Sequence, residues 1–392
     1  MKNKKINIFS IYFPPENGAA SYRIYNLANG FVERGNKVNI ITSMPSYPFG
    51  KIFKKYKYKI YKKENFNDIN IYRLWIMPSK SKNIFLRFLS MISYSISMFF
   101  FIPRLFFIKS DYSIIQGHPL ISSFFIILIN KKFLNRKIIL NISDIWPLSG
   151  LELGFFKKNS FMYRSLKKIE SFNYKNSDKI LVQSDEINTY IKKSYNLNSF
   201  IYRNLPVTKI DIKDSEYISK CKIFYAGLLG YAQGIAEICK KVDFELLDIE
   251  FHIYGDGGES NEIKSISKNR RNIFYHGLIS KDLLYNKIKN YHYGLVPLIK
   301  PIYGAFPSKI YELIHFEIPI IYFGDGYASK LITENKIGYS VNSKDYDNLK
   351  KLFKKISLVD KSFIELTENL KNLKKDGFDF KLQFEKLLNY IE

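Results

Sequence analysis

A lysine and a glutamate three residues apart, Lys309 and Glu312, follow directly on the run Tyr303-Gly304-Ala305-Phe306-Pro307-Ser308. Proline and serine open helices, so this spacing puts both charges on roughly one side of a first helical turn. An ammonium and free amides suit a diphosphate, and a carboxylate one turn further on accepts both hydroxyls of a ribose. The same residues also describe a capped helix with a Lys–Glu pair worth only about 0.2–0.5 kcal/mol. Three glycine clusters share a strand-to-turn setting: Phe13 to Ser21 with Gly18, Tyr225 to Gly234 with Gly227, Gly230 and Gln233, and Ile253 to Glu259 with Gly255. Small residues there let backbone amides approach an anion. In the first cluster the alternative is a well-made turn with Ser21 as N-cap. No Gly-Lys-Ser/Thr follows any of them, so none is a P-loop. Asp345-Tyr346-Asp347 has metal-like spacing but falls in a polar turn and reads as structural, and no metal site is expected.

The elements that must hold these residues alternate. Strands are expected at Lys5–Tyr12, Lys37–Thr42, Ile69–Leu74, Tyr112–Gln116, Ile138–Ile142 and Lys179–Gln183, with a helix from Ser21 to Arg34 ended by Gly35. A second series gives strands at Lys222–Ala226, Glu250–Tyr254, Asn272–His276, Tyr293–Pro297 and Ile318–Phe323. A helix is expected from Phe363 to Lys374, with Ser362 and Glu365 as its capping box. The polar run from Lys209 to Glu216 reads as a linker. The expectation is an α/β chain with two Rossmann-like, doubly wound domains facing a central cleft: residues 1–205, 206–375, and a closing helix in 376–392 that packs back on the first domain.

The 392 residues carry 61 Lys and Arg against 36 Asp and Glu, a net charge of +25. That excess points to an anionic partner. The two cysteines, Cys221 and Cys239, exclude a disulfide scaffold and a four-thiolate zinc site. No secretory signal is read at the start, because Ile6 to Phe13 is one strand long. Ile84 to Ile108 is long enough to span a bilayer, yet Arg87, Ser90, Ser93, Ser97 and Arg104 form one polar stripe. An in-plane or partly buried helix fits better than a span. Lys51, Lys54, Lys55, Lys57, Lys59, Lys62 and Lys63 alternate with Phe53, Tyr56, Tyr58 and Tyr61, and Lys157, Lys158, Arg164, Lys167 and Lys168 extend the patch. No nucleic-acid module surrounds it, so anionic lipid is the expected partner and nucleic acid is not.

With these stretches in order, the chain resembles glycosyltransferase family 4, the retaining GT-B enzymes, over nearly its whole length. It looks closest to the bacterial branch that builds O-antigen and capsule, including the N-acetyl-L-fucosamine transferases. The matching stretches are Tyr12-Phe13-Pro14-Pro15-Glu16 with Gly18 to Ser21, Met44 to Pro48 with Gly50-Lys51, and Asp144-Ile145-Trp146-Pro147. In the second half they are Tyr225-Ala226-Gly227, Gly230 with Ala232-Gln233-Gly234, Gly255-Asp256-Gly257, and Pro307-Ser308-Lys309 with Glu312.

The resemblance implies a nucleotide-sugar donor in the second domain and an acceptor in the first. Glu312 would hold the ribose, and Ser308, Lys309 and the Gly304, Ala305 and Phe306 amides the diphosphate. Gly227, Gly230, Gln233 and Gly255 would lie against the nucleotide. The Gly18, Ala19 and Ala20 turn with Arg23 would face the diphosphate and acceptor. Asp144 and His118 would stand near the reacting carbon, although Asp144 also suits a turn cap and His118 a satisfied turn residue. Gly304 stands where many relatives carry a sugar-contacting Glu, and Leu228 and Gln233 fall near their diphosphate-binding Arg and Lys. The implied activity is metal-independent transfer of an N-acetylated sugar from a UDP donor to a polyprenyl-diphosphate-linked oligosaccharide, at the cytoplasmic face of the inner membrane. A catalytically silent membrane scaffold and a nucleotide-sugar epimerase are the alternatives.

Overall fold

The computed structural model describes residues 1–47, 49–79, 84–207, 220–288, 290–300, 303–304, 306–357 and 361–392. The side chains of residues 84, 85, 87, 88 and 361 lie outside that description, and so do the stripe residue Arg87, the expected linker and the donor-loop residue Ala305.

The chain forms two compact units. One comprises Met1–Asn204 with Tyr303, Gly304 and Gln383–Glu392; the other comprises Leu205–Pro301 and Phe306–Leu382. The first opens with β1 (Lys5–Phe9), α1 (Ala19–Val32), β2 (Lys37–Ser43), β3 (Tyr61–Phe66) and β4 (Ile69–Leu74). It continues with α2 (Ile84–Leu105), β5 (Tyr112–Gln116), α3 (Leu120–Ile129), β6 (Lys137–Ile142) and α4 (Leu148–Glu152). The series ends with α5 (Phe161–Lys175), β7 (Lys179–Val182), α6 (Asp185–Tyr195) and β8 (Phe200–Ile201). Eight strands form one sheet in the order β3-β4-β2-β1-β5-β6-β7-β8, parallel except for β3 against β4. Parallel strands covered on both faces are predominantly apolar, and Ile6, Ile8, Ile40, Ile114 and Leu140 are fully or nearly fully buried.

The second unit runs through β9 (Cys221–Ala226), α7 (Ile235–Lys241), β10 (Ile249–Tyr254), α8 (Ser260–Asn269), β11 (Ile273–Gly277) and α9 (Lys281–Ile288). Next come β12 (Tyr293–Leu298), α10 (Lys309–His315), β13 (Ile320–Gly324), α11 (Tyr327–Glu334) and β14 (Gly338–Val341). Three helices close the chain: α12 (Tyr346–Ile356), α13 (Lys361–Gly377) and α14 (Phe380–Ile391). Its all-parallel sheet has the order β11-β10-β9-β12-β13-β14. Both cysteines sit unpaired in its core.

Such sheets bind ligands beyond the strand carboxyl ends where the winding reverses. In the first unit that point lies between β1 and β5, the strands that lead into the Gly18 turn and His118. In the second it lies between β9 and β12, which lead into Gly227 and the segment before Lys309.

Several elements depart from the sequence expectation. Ser21 is not the N-cap of α1: Gly18 holds that position, and the Ser21 hydroxyl is buried inside the helix with no partner among the described residues. Ser362 does not cap α13, which already includes Lys361, and its hydroxyl meets the Tyr339 hydroxyl at 3.1 Å. Part of the basic run is an edge strand, β3, whose Glu64 pairs with Lys62 and Arg73 and accepts from the Tyr56 hydroxyl at 3.1 Å. Lys167 is likewise absorbed by a salt bridge to the fully buried Glu170. Along α2 the polar stripe does not face solvent throughout. Ser93 is buried and accepts from the Met77 amide at 2.9 Å, whereas Ile96, Phe99 and Phe100 are exposed. Among the described residues no helix is long and apolar enough to cross a membrane.

The end of α14 completes the first unit. Phe384 packs edge-on against Phe31 at 5.0 Å, under the Arg34 guanidinium, where Gly30 leaves the room. The Gln383 side chain both accepts from and donates to the Arg203 backbone, at 2.8 and 3.0 Å.

Candidate functional site

The second unit gathers a cationic hollow at the end of β9. Lys309, the first residue of α10, is half-buried and makes no hydrogen bond or ion pair with any described residue. Its ammonium lies 6.0 Å from the centre of the Tyr225 ring. Burial pulls its pKa below the usual lysine value; Glu312 opposes that shift, and Lys281 adds to it. Gly227 makes room for this side chain, since a Cβ there would lie 2.4 Å from Lys309 Cε. Glu312 pairs with Lys281 at 3.6 Å rather than with Lys309, so the simple Lys–Glu helix pair is not what the residues form. A small apolar hollow adjoins them, walled by Phe224, Leu284, Tyr285 and Leu313.

The glycine loops are built against each other. Leu229 donates to the Asp256 carbonyl at 3.0 Å, and Glu259 donates back to Leu229 at 2.9 Å. Gly255 has φ +139°, and a Cβ on it would lie 1.8 Å from the Gly227 carbonyl oxygen. Gly255 is thus required by backbone packing. Gly230 accepts from the Gln233 and Gly234 amides at 3.0 and 3.2 Å, and the buried Gln233 Oε1 has no partner among the described residues. Ser308 occupies the N-cap of α10, but its side chain makes no capping bond. Phe306 is a core residue, stacked 4.6 Å from Tyr311.

Gly304 is placed otherwise than the donor-loop expectation. Its amide donates to Glu186 Oε2 at 3.1 Å and its carbonyl accepts from Ser184 at 3.3 Å, so this amide is already engaged within the first unit. Asp345 caps α12 through the Asn348 amide at 3.1 Å, the structural role expected for it. The described residues hold no cluster of three or more metal-ligating side chains.

In the first unit, the loops after β1, β5 and β6 carry Gly18, His118 and Asp144. Gly18 adopts extended backbone, and Ala19 and Ala20 behind it are exposed. Arg23 does not point to solvent: it is buried, donates to Asn141 Oδ1 at 2.7 Å and lies 5.0 Å over the Tyr202 ring. Its charge still reaches Asp144. Asp144 is exposed at its tip, and the protein packed around it raises its pKa, while the Ser143 hydroxyl and Arg23 work against the rise. His118 stacks on Trp146 at 4.8 Å, and burial pulls its pKa down to about 4, so the ring is neutral near pH 7. Its Nδ1 has no partner among the described residues.

Two residues of consequence were given no role by the sequence reading. Lys281 starts α9 with no motif around it and reaches Glu312 only through the fold. Glu16 is buried and ties two loops together by accepting from Ser46, Tyr47 and Phe13 amides at 2.8, 2.9 and 3.3 Å. Despite those donors, burial lifts its pKa from 4.5 to about 7. A carboxyl whose folded pKa is raised stabilises most below its unfolded pKa, and that share is lost as pH rises through the folded value. Thermal denaturation between pH 4.5 and 7 should therefore show a loss of about 3 kcal/mol from this group. Glu16→Gln, which keeps an acceptor for the amides, should flatten that part of the profile, and an unchanged slope would exclude Glu16 as its source.

The two units have the GT-B fold. Residues 209–375 match the family described as Glycosyl transferases group 1. A probable glycosyltransferase of Pseudomonas aeruginosa, WbjE, is 25% identical over 249 residues, 58% of this chain. The chain spans 62% of the length of that relative. Among solved structures, sucrose-phosphate synthase of Thermosynechococcus elongatus superposes with a TM-score of 0.72 at 11% identity, covering 99% of this chain and 98% of its own. WaaG, a glycosyltransferase involved in lipopolysaccharide biosynthesis, gives 0.66 at 13%, covering 98% and 99%. Staphylococcus aureus TarM, solved as a mutant with Fondaparinux, alpha-GlcNAc-glycerol and UDP, gives 0.65 at 13%, covering 99% and 100%.

Proposed function

We propose that this chain is a retaining glycosyltransferase, moving an N-acetylated sugar from a UDP donor to a polyprenyl-diphosphate-linked oligosaccharide in surface-polysaccharide synthesis. The observation that carries the reading is Lys309, a half-buried ammonium that makes no ion pair or hydrogen bond with the described residues. Buried charges are normally paired, so a site that leaves a cation unpaired is built for an anion that arrives with the ligand. The group 1 match over residues 209–375 and the fold shared with TarM and WaaG support the same assignment.

In this reading the donor diphosphate lies on Lys309, the ribose on Glu312, and the nucleotide along Gly227 to Gly234. The acceptor hydroxyl attacks the anomeric carbon from the face that the diphosphate leaves. The C–O bond to the diphosphate breaks as the new glycosidic bond forms, and the hydroxyl proton passes to the departing phosphate oxygen. Lys309 stabilises the charge that grows there. Asp144, beside Arg23, and the neutral His118 border the acceptor. No metal takes part. A scaffold would have no use for an unpaired ammonium, and no observation favours an epimerase.

The chain docks on an anionic membrane through exposed Lys54, Lys55, Lys57 and Lys59 around Tyr58, 89% exposed, and the outward face of α2. Each basic residue near such a surface contributes about 1 kcal/mol. Flotation with vesicles should depend on anionic lipid and fall at least tenfold when those four lysines become glutamates; binding indifferent to lipid charge would contradict the docking. The activity itself is tested by incubating the chain with UDP-N-acetylhexosamines and a short-chain polyprenyl-diphosphate sugar. Transfer with retained anomeric configuration is expected, and an inverted product or a trapped glycosyl-enzyme adduct would overturn the mechanism.

A further inference from the structure

Two mostly apolar strands of the first unit finish on a polar pair. Gln116 is the last residue of β5 and Asn141 the last but one of β6, and they stand opposite each other in the sheet. Carboxamides among buried apolar residues must satisfy their donors and acceptors from their neighbours. Here the neighbours form an unbroken relay. The Arg23 guanidinium donates to Asn141 Oδ1 at 2.7 Å, and Asn141 Nδ2 donates to Gln116 Oε1 at 2.9 Å. Gln116 Nε2 donates to Ser143 Oγ at 2.9 Å, and the Ser143 hydroxyl donates to Asp144 Oδ2 at 3.3 Å.

The direction of this relay is forced. A guanidinium only donates, so Asn141 must turn its oxygen to Arg23 and its amide to Gln116. Gln116 must then turn its own amide to Ser143. Ser143 thus meets a donor on that side, and its hydrogen is left for Asp144. A hydrogen bond that reaches a carboxylate favours the ionised form. Bonds in such a series also polarise one another. Arg23 is the charged group that acts on Asp144 as well. His118 on the adjacent turn and Tyr174 of α5, which lines the same small hollow as Asp144, are kept neutral near pH 7 by burial.

We propose that Gln116 and Asn141 are positioning residues: they carry a hydrogen bond from Arg23 through Ser143 to Asp144, hold that carboxylate ionised, and leave its Oδ1 for the substrate. They act through Asp144 without touching substrate themselves. The inference rests on the acceptor-side place given to Asp144 above, and it adds the side chains that keep it charged and oriented there.

A titration of Asp144 in the full-length chain tests this. The folded pKa of Asp144 is the raised one, so the stability difference between a chain and its Asp144→Asn counterpart falls as pH rises from the unfolded to the folded value. Glu16 and the other titrating groups cancel in that difference. The pH at which it levels off therefore reads the folded value. Ser143→Ala should move that point up by about one pH unit, and Gln116→Met, close in size and uncharged, by about half a unit. Added to Ser143→Ala, Gln116→Met should move it no further, since the relay is already cut. An unmoved titration in Gln116→Met, or shifts that add in the double variant, would overturn the proposal. In transfer assays the acid limb of kcat should move up with the titration, while KM for the UDP-sugar changes less than about twofold. A kcat lowered equally at every pH would mean that Gln116 is merely structural, and that too would overturn it. Absence of transfer by the parent chain would instead count against the transferase reading, and the titration stands apart from it.

Discussion

Lys309→Met should remove most nucleoside-diphosphate affinity while leaving the unliganded chain as stable as before, or more so. A charged hydrogen-bond partner of a bound phosphate contributes about 2–4 kcal/mol, so the dissociation constant should rise roughly 30- to 1,000-fold. Most active-site substitutions that remove so much binding say nothing about folding. This one does, because the ammonium is half-buried with no ion pair among the described residues and its pKa is depressed by burial. Methionine has a similar reach and no charge to desolvate. A calorimetric titration with UDP and a denaturant melt of the same preparation give both numbers. Unchanged UDP affinity, or a large loss of apo stability, would show that Lys309 is a structural lysine.

Gly255→Ala should have the largest effect on folding of any single methyl group added in the second unit. The new Cβ would lie 1.8 Å from the Gly227 carbonyl oxygen, at a φ of +139° that L side chains rarely adopt. Relief requires the two glycine loops to part, at the expense of the Gly227 amide bond to Tyr254 and the Gly255 amide bond to Gly277, both 2.8 Å. A loss of about 3 kcal/mol or more is expected, lowering Tm by about 10 °C. Gly258→Ala is the matched control, since its Cβ would meet nothing nearer than 3.6 Å. Equal melting of the two variants would refute the packing argument. Because Gly227 also makes room for Lys309, a loosened Gly255 should cost nucleotide affinity as well.

Local sequence carried the parallel strands well because most of their residues are buried and apolar residues dominate their length. Ile69–Leu74 and Tyr112–Gln116 fall where the sequence puts them. The edge strand β3 was hidden for the opposite reason. Tyr61–Phe66 faces solvent, carries lysines as exposed edges do, and pairs through the register Glu64 to Ile71 that no local pattern encodes. β14 was missed because four residues, three of them half-buried, make too short a period. The site divides the same way. Lys309 and Glu312 are neighbours on one helix and could be read from their spacing. Lys281 reaches Glu312 from a different helix, and Arg23 turns inward because Asn141, 118 residues away, accepts its hydrogen bond. A cation in a motif thus marks where charge is available, and the fold decides whether it faces a ligand or a neighbour.

The most direct test of the nucleotide-sugar reading is thermal stabilisation by UDP, GDP, ADP and dTDP at equal concentration, with Glu312→Ala in parallel. A ligand at 100 times its dissociation constant stabilises by about 2.7 kcal/mol. The predicted result is a shift selective for UDP that is lost in the variant, which removes the carboxylate that lies 3.6 Å from the Lys281 ammonium. No shift with any of the four nucleotides, or a UDP shift that Glu312→Ala leaves intact, would contradict it.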